Sequence, residues 1–170
     1  MILEQNKISD FTASERQDMI LCFGCYDLIH VGHITMFEEL RKIASTLIIC
    51  LANDALVTKL KGKNRPIIPE SERILMLDSI KYVDYVFMQE QGNAIELKRK
   101  YNFDNKEILI WENFIYPLSL LKPGFCALSS EYILTSEVRH FCKDENIKII
   151  EVPYHEQQST SKIVSKILKQ

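Results

Sequence analysis

The sequence predicts an α/β protein, a Rossmann-like doubly wound parallel sheet in a single domain spanning residues 1–170. Two observations carry this expectation. Short, continuous apolar runs alternate along the chain with segments of helical period. The composition also suits one sizeable core, with 46% hydrophobic residues in 170.

The first run, Met19-Ile20-Leu21-Cys22-Phe23, is apolar throughout and closed by Gly24, as expected of a strand buried on both faces. From His33 onward Phe37, Leu40, Ile43 and Ala44 recur at helical spacing, with Glu38, Glu39, Arg41 and Lys42 between them. Thr46 to Leu51 is the second strand, and Ala55-Leu56 opens a short helix that dissolves into Lys61-Gly62-Lys63-Asn64-Arg65-Pro66. Pro69 and the carboxylates of Glu70 and Glu72 mark the next helix start, where a fixed φ and negative charge are favoured; Ile74, Leu77 and Ile80 are its apolar positions. Tyr82 to Met88, Phe125 to Leu128 and Ile147 to Val152 read as further strands, and Val138, Phe141 and Cys142 as core. Ser159 and Thr160 cap a last helix carrying Ile163, Val164, Ile167 and Leu168 on one face. Ile108 to Trp111 has the character of an extra strand.

Charge and cysteine usage narrow the function classes. Twenty-one Lys and Arg stand against 23 Asp and Glu, a formal net charge of -2, so the clustered positive charge of a DNA-coating protein is missing. Disordered chains have fewer apolar residues and more net charge. No apolar run approaches the roughly 20 residues of a membrane span, and Met1 to Asp18 has no apolar signal core. The expectation is a soluble, cytoplasmic protein with neither nucleic-acid nor membrane partners. The five cysteines, Cys22, Cys25, Cys50, Cys126 and Cys142, are odd in number and read as buried reduced thiols.

The chemistry concentrates in Phe23-Gly24-Cys25-Tyr26-Asp27-Leu28-Ile29-His30-Val31-Gly32-His33, a strand running through a glycine turn into a helix start. Gly24 is expected to let backbone amides approach an anion, and the helix N-terminus adds its positive dipole end. His30 and His33, three apart, fall on one side of a first helical turn. Gly32 between them removes a side chain that would crowd a phosphate. Imidazoles donate hydrogen bonds to phosphate oxygens without the fixed cost of a buried ammonium.

That run resembles the H-x-G-H nucleotidyltransferases of the cytidylyltransferase-like group, whose pattern is glycine, a small residue, an aromatic, Asp, two apolar residues and H-x-G-H. Asn53-Asp54, Leu60-Lys61-Gly62, Arg65-Pro66, Glu72-Arg73 and Tyr82-Val83-Asp84 follow in the group's order, and Ser159-Thr160-Ser161 resembles its late Ser-Thr-Thr element. The run is most similar to the adenylyltransferase part of bacterial ADP-heptose synthases, with glycerol-3-phosphate cytidylyltransferase more distant. The resemblance implies transfer of a nucleoside monophosphate from ATP or CTP to a phosphorylated sugar or polyol, with magnesium carried on the triphosphate. It assigns His30, His33 and Lys61 to catalysis. It assigns Phe23, Gly24, Cys25, Gly32, Arg73, Ser159 and Thr160 to the nucleotide, with Arg73 holding the triphosphate or orienting the loop. Asp27 and Lys59 fall to the acceptor, Asp27 either touching it or organising the site.

The sequence also departs from that pattern. Leu128-Ser129-Ser130-Glu131-Tyr132 stands where relatives carry Lys-Gly-Gly-Asp-Tyr, and Tyr154 and Gln157 stand near an expected arginine and glycine. These changes point to an altered substrate or to a nucleotide-binding relative without turnover. Residues 1–18 read as an N-terminal extension and about 90–111 as an insertion. Cys22, Cys25, His30 and His33 have the ligand types of a small zinc site, but Cys22 lies in a core strand. Lys59, Lys61, Lys63 and Arg65 lack the interleaved aromatics of an RNA platform, and Lys98-Arg99-Lys100 reads as a solvated helix face. Phe114-Ile115-Tyr116 is compatible with a homodimer interface, and Trp111 with packing.

Overall fold

The computed structural model describes residues 1–88, 114–129, 134–152, 160–167 and 169. Among the described residues five parallel strands form one sheet: β1 (Met19–Gly24), β2 (Thr46–Leu51), β3 (Tyr85–Met88), β4 (Phe125–Ser129) and β5 (Lys148–Val152), in the order β3-β2-β1-β4-β5. β1 is central, with Met19 opposite Thr46 and Gly24 opposite Leu51 on one side, and Cys22 opposite Ala127 on the other.

The continuous apolar runs follow from burial on both faces. Met19, Leu21 and Phe23 pack with Ile48, Cys50, Cys126 and Leu128 under one helical layer. That layer holds α5 (Tyr116–Leu121) and α6 (Ser136–Asp144). Ile20 and Cys22 point the other way, with Leu47, Ile49 and Val86, under α2 (Val31–Leu40) and α4 (Glu70–Asp78). The period of two along β1 thus divides the core into two halves. Val138, Phe141 and Cys142 are buried.

Three boundaries differ from expectation. α2 stops at Leu40, and Ile43 is exposed, because the Arg41 side chain turns onto the Ser45 carbonyl and the Asp84 carboxylate. β3 begins at Tyr85 rather than Tyr82. A turn from Ile80 to Val83 precedes it, and the Asp84 carboxylate accepts the Leu47 amide at 2.7 Å. On α7 (Thr160–Ile167), Ile163 and Val164 are half-buried but Ile167 is exposed. The expected strand at 108–111, with Trp111, and the basic run 98–100 lie outside the described residues.

The segment before Met19 is built into the domain. Leu3 and Ile8 are buried in the core, and the Leu3 amide donates to Val86 of β3 at 2.9 Å. α1 (Ala13–Gln17) starts with a capping box. The Glu15 amide donates to Thr12 Oγ1 at 3.2 Å, and the Thr12 amide donates to the Glu15 carboxylate at 2.7 Å. Arg16 then donates to the carbonyls of Ile8, Phe11, Leu120 and Leu121, closing the end of α5. In Phe114-Ile115-Tyr116, compatible from sequence with a homodimer interface, Ile115 is fully buried, Phe114 packs on Phe23 at 5.0 Å and both Phe114 and Tyr116 stay half-buried. No helix of the described residues is long and apolar enough to cross a membrane.

Gly124 marks the tightest backbone approach. Its amide donates to the Arg16 carbonyl at 2.7 Å, and a methyl group there would lie 2.8 Å from the Gln17 carbonyl carbon. Gly124→Ala is expected to cost about 2 kcal/mol in urea denaturation, since backbone on both sides must shift. A loss under about 0.5 kcal/mol would contradict the close approach.

Candidate active site

The strand order reverses between β1 and β4, and in open α/β sheets the crevice beyond the carboxyl ends at such a point holds the ligand. The Gly24–His33 turn lies there. α2 starts at Val31 with His30 in extended backbone as its N-cap, so the two histidines straddle the helix start and Gly32 is its second residue. Their rings stack at 3.9 Å, 24° from parallel. The His30 amide donates to His33 Nδ1 at 3.3 Å, which leaves the His33 proton on Nε2.

Burial, and then the neighbouring His30 ring, push the His33 imidazole down to about 3, and burial lowers His30 as well. Near neutral pH the pair is a set of uncharged N–H donors in the free protein, rather than a shared positive charge. His30 Nδ1 is buried and has no hydrogen-bond partner among the described residues.

Asp27 is buried, and both of its oxygens are occupied. Oδ1 accepts the amides of Ile67 and Ile68 at 2.7 and 2.9 Å, and Oδ2 takes the Arg65 guanidinium. A carboxylate so enclosed ties the H-x-G-H turn to the 65–68 segment, which is the organising role among the two the sequence offers for it. Upstream of that segment, Lys59 and Lys61 occupy the last turn of α3 (Asp54–Lys61), both exposed. Lys61 ends a helix rather than sitting in a loop, and Gly62 follows at φ 99.

Of the two uses the sequence offers for Arg73, holding the triphosphate or orienting the loop, the geometry supports the second. Arg73 on α4 is fully buried, and its guanidinium is consumed by protein. It donates to the carbonyls of Ile68 (2.9 Å), Cys25 and Ala52 (2.9 Å) and to Asp54 Oδ1 (2.7 Å). Asp54 and Glu70 reinforce this, each carboxylate accepting the other's backbone amide at 2.9 and 2.6 Å. Arg73 therefore holds the ends of β1 and β2 and the 65–68 segment in register.

Gly24 also answers to a contact within the chain. A methyl there would sit 2.6 Å from the ring of Tyr26, so glycine is required by a side chain of this chain. Phe23 is buried, and Cys25 packs half-buried against Ala52, Leu56 and Val57. Cys22, weighed as a zinc ligand, is buried 3.3 Å from the Tyr26 hydroxyl, and burial raises its thiol to about 12. Thr160 begins α7 and its hydroxyl donates to the Leu28 carbonyl at 3.3 Å, which brings that helix start to the same turn. Ser159 and residues 130–132 lie outside the described residues. Asp54, Glu70, Arg65 and Tyr26 were given no role from sequence. The only signal for Asp54, Arg65 and Tyr26 in the site was their place in the run of matched motifs, and Glu70 showed only as a carboxylate at a helix start.

Two measurements probe this framework. Arg73→Met orphans three carbonyls and Asp54 and is expected to cost about 3 kcal/mol in chemical denaturation. A near-neutral change would rule out the clamp. His33 binds its proton more weakly folded than unfolded, where the ordinary value is 6.5. The unfolded chain therefore carries the extra proton below that value, and stability present above it is lost as the pH falls towards 3. Between pH 7 and pH 5 the protein should lose about 1–2 kcal/mol more than His33→Gln does. Equal slopes would mean the imidazole is not desolvated.

The sequence pattern of the cytidylyltransferase-like family matches residues 21–170. The bifunctional protein HldE of Helicobacter pylori (strain G27) is 30% identical over 168 residues, covering 98% of this chain and 31% of that protein. That alignment takes in nearly all of the segment before Met19, which the sequence reading had set apart. The chain spans about a third of the length of the curated relatives it matches. Two solved structures share the fold. The lipopolysaccharide core biosynthesis protein from Thermoplasma volcanium GSS1 has a TM-score of 0.54 at 18% identity, over 79% of this chain and 93% of that one. Pantoate-beta-alanine ligase from Francisella tularensis, complexed with beta-gamma ATP and beta-alanine, has a TM-score of 0.62 at 16% identity, over 98% of this chain and 76% of that one. With the paired imidazoles at the sheet's switch point and a match running from β1 to the last residue, this chain belongs to the cytidylyltransferase-like family of nucleotidyltransferases.

Proposed function

We propose that this chain moves a nucleoside monophosphate from an NTP onto a phosphorylated sugar or polyol and releases pyrophosphate. ATP is the favoured donor, supported by the resemblance to the adenylyltransferase part of ADP-heptose synthases and by the alignment with HldE proteins. CTP with glycerol phosphate is the second pairing. The observation that carries the reading is the stacked, uncharged histidine pair at the end of the central strand.

In such a transfer an oxygen of the acceptor's phosphate attacks the α-phosphorus in line, and the bond to the bridging oxygen breaks. Pyrophosphate leaves with that electron pair. Catalysis then rests on positioning and on stabilising the oxygens around phosphorus. His33 Nε2–H and the His30 ring donate to the α-phosphate. The arriving polyanion raises both proton affinities, so positive charge develops as the substrate binds. Gly32 leaves room beside the phosphate, and Phe23, Gly24 and Cys25 line its approach. Lys61 and Lys59, exposed at the end of α3, supply mobile cations to the triphosphate and the acceptor. Ser159 and Thr160 offer hydroxyls and amides at the start of α7. Magnesium enters bound to the nucleotide, as part of the substrate. Charged, phosphorylated substrates of this kind suit a cytoplasmic enzyme.

The Ser129-Ser130-Glu131 departure favours one other reading, a relative that binds nucleotide without turnover. Four magnesium–NTPs tested against sugar and polyol phosphates, with pyrophosphate release as the readout, separate the two. We expect release with ATP and a sugar phosphate, and a fall in kcat of about 10²-fold or more in His33→Gln. Nucleotide-dependent thermal stabilisation with no release under any pairing would favour the binding protein.

A further inference from the structure

Tyr26 stands in the middle of the catalytic turn without a role in the transfer described above. It is buried, at 4% exposure, and has φ 49, a left-handed conformation rarely adopted by large side chains. Strained backbone of this kind persists where its surroundings over-determine it, and it concentrates at functional sites. The unusual φ belongs to a turn that places the Tyr26 ring back over the end of β1. The missing side chain of Gly24 leaves the space, since a methyl there would lie 2.6 Å from ring atoms Cε2 and Cζ. The hydroxyl sits 3.3 Å from Cys22 Sγ, and the ring tilts against Phe37 at 5.5 Å.

The same ring meets His33 in a T-shaped contact, with centroids 5.1 Å apart and planes at 66°. His33 is therefore held from three directions: by Tyr26, by the stacked His30 ring, and by the His30 amide on Nδ1. We infer that Tyr26 is the positioning residue for His33, a wedge seated on Gly24 that fixes the imidazole with Nε2–H turned to the α-phosphate. This inference rests on the nucleotidyl-transfer reading for the identity of that phosphate, but not for the wedge itself. Misplacing a donor by about 1 Å is enough to cost up to about 10²-fold in rate. A tyrosine that only filled the core would affect folding and leave the imidazole where it is.

The test reads His33 directly. In ligand-free protein with ¹⁵N-labelled histidine, long-range proton–nitrogen spectra distinguish the imidazole tautomers, and the His33 signals are assigned by their loss in His33→Gln. The wild-type ring is expected as a single Nε2–H tautomer. Tyr26→Phe, which keeps the wedge, should retain it. Tyr26→Leu should give a mixture of tautomers and a kcat at least about tenfold lower, with the KM for nucleotide changed less than about threefold. A folded Tyr26→Leu protein with the wild-type His33 signature would overturn the inference. Should Tyr26→Leu fail to fold, Gly24→Ala probes the same point, because its methyl drives the ring off His33; an unchanged tautomer there would equally overturn it. The spectra need no substrate. A protein that releases no pyrophosphate defeats the functional reading, while the wedge still stands or falls on the imidazole signals.

Discussion

The active-site geometry depends on one buried cation. Arg73 lies on α4, yet three of its four hydrogen-bond partners are carbonyl oxygens of other segments: Cys25 after β1, Ala52 after β2, and Ile68 before its own helix. A guanidinium is suited to this because its donors spread in a rigid planar fork. Burying that charge is costly, and Asp54 provides the compensating carboxylate while the carbonyl dipoles provide the rest. Remove this centre and three chain ends that must meet at the crevice lose their common point. Asp27 performs the matching task from the opposite direction, as an anion collecting donors from Arg65, Ile67 and Ile68.

Around that rigid frame the electrostatics are divided. The stacked imidazoles at the turn are neutral, and Lys59 and Lys61 stand exposed at the end of α3. A preformed site of uncharged donors avoids the repulsion that two adjacent imidazolium rings would suffer at 3.9 Å. Long, solvated lysine side chains can meet a triphosphate without being desolvated beforehand. Under the proposed transfer, long-range attraction would thereby be separated from the local donor geometry.

The sheet was legible because strands buried on both faces leave uninterrupted apolar runs, and Met19 to Phe23 and Thr46 to Leu51 are such runs. Boundaries were less legible wherever a polar side chain ended an element through a distant partner. Arg41 turning to Asp84 shortens α2, and Asp84 accepting Leu47 delays β3; neither partner is local in sequence. The histidine pair could be found because its spacing is local. Arg73 was left open between holding a triphosphate and orienting the loop, because an arginine amid phosphate-binding motifs looks the same in sequence whether it faces a ligand or backbone carbonyls. Gly24 was attributed to a ligand for a similar reason, since only the folded turn brings Tyr26 back over it. Tyr26 itself carries no local cue to its left-handed backbone.

The first three residues have an effect beyond the core they help to close. Ile2 pairs in parallel with Val86, and the Leu3 amide reaches the Val86 carbonyl, so part of the outer rim of β3 is already hydrogen-bonded within the molecule. An open rim of this sort is the template on which foreign strands add and fibrils grow. At the other margin among the described strands, β5 carries exposed Lys148 and Glu151. A foreign strand adding there would have to accommodate both charges. Among the described residues the two flanks of the sheet thus differ, a strap of the chain's own residues lying along one and charge along the other.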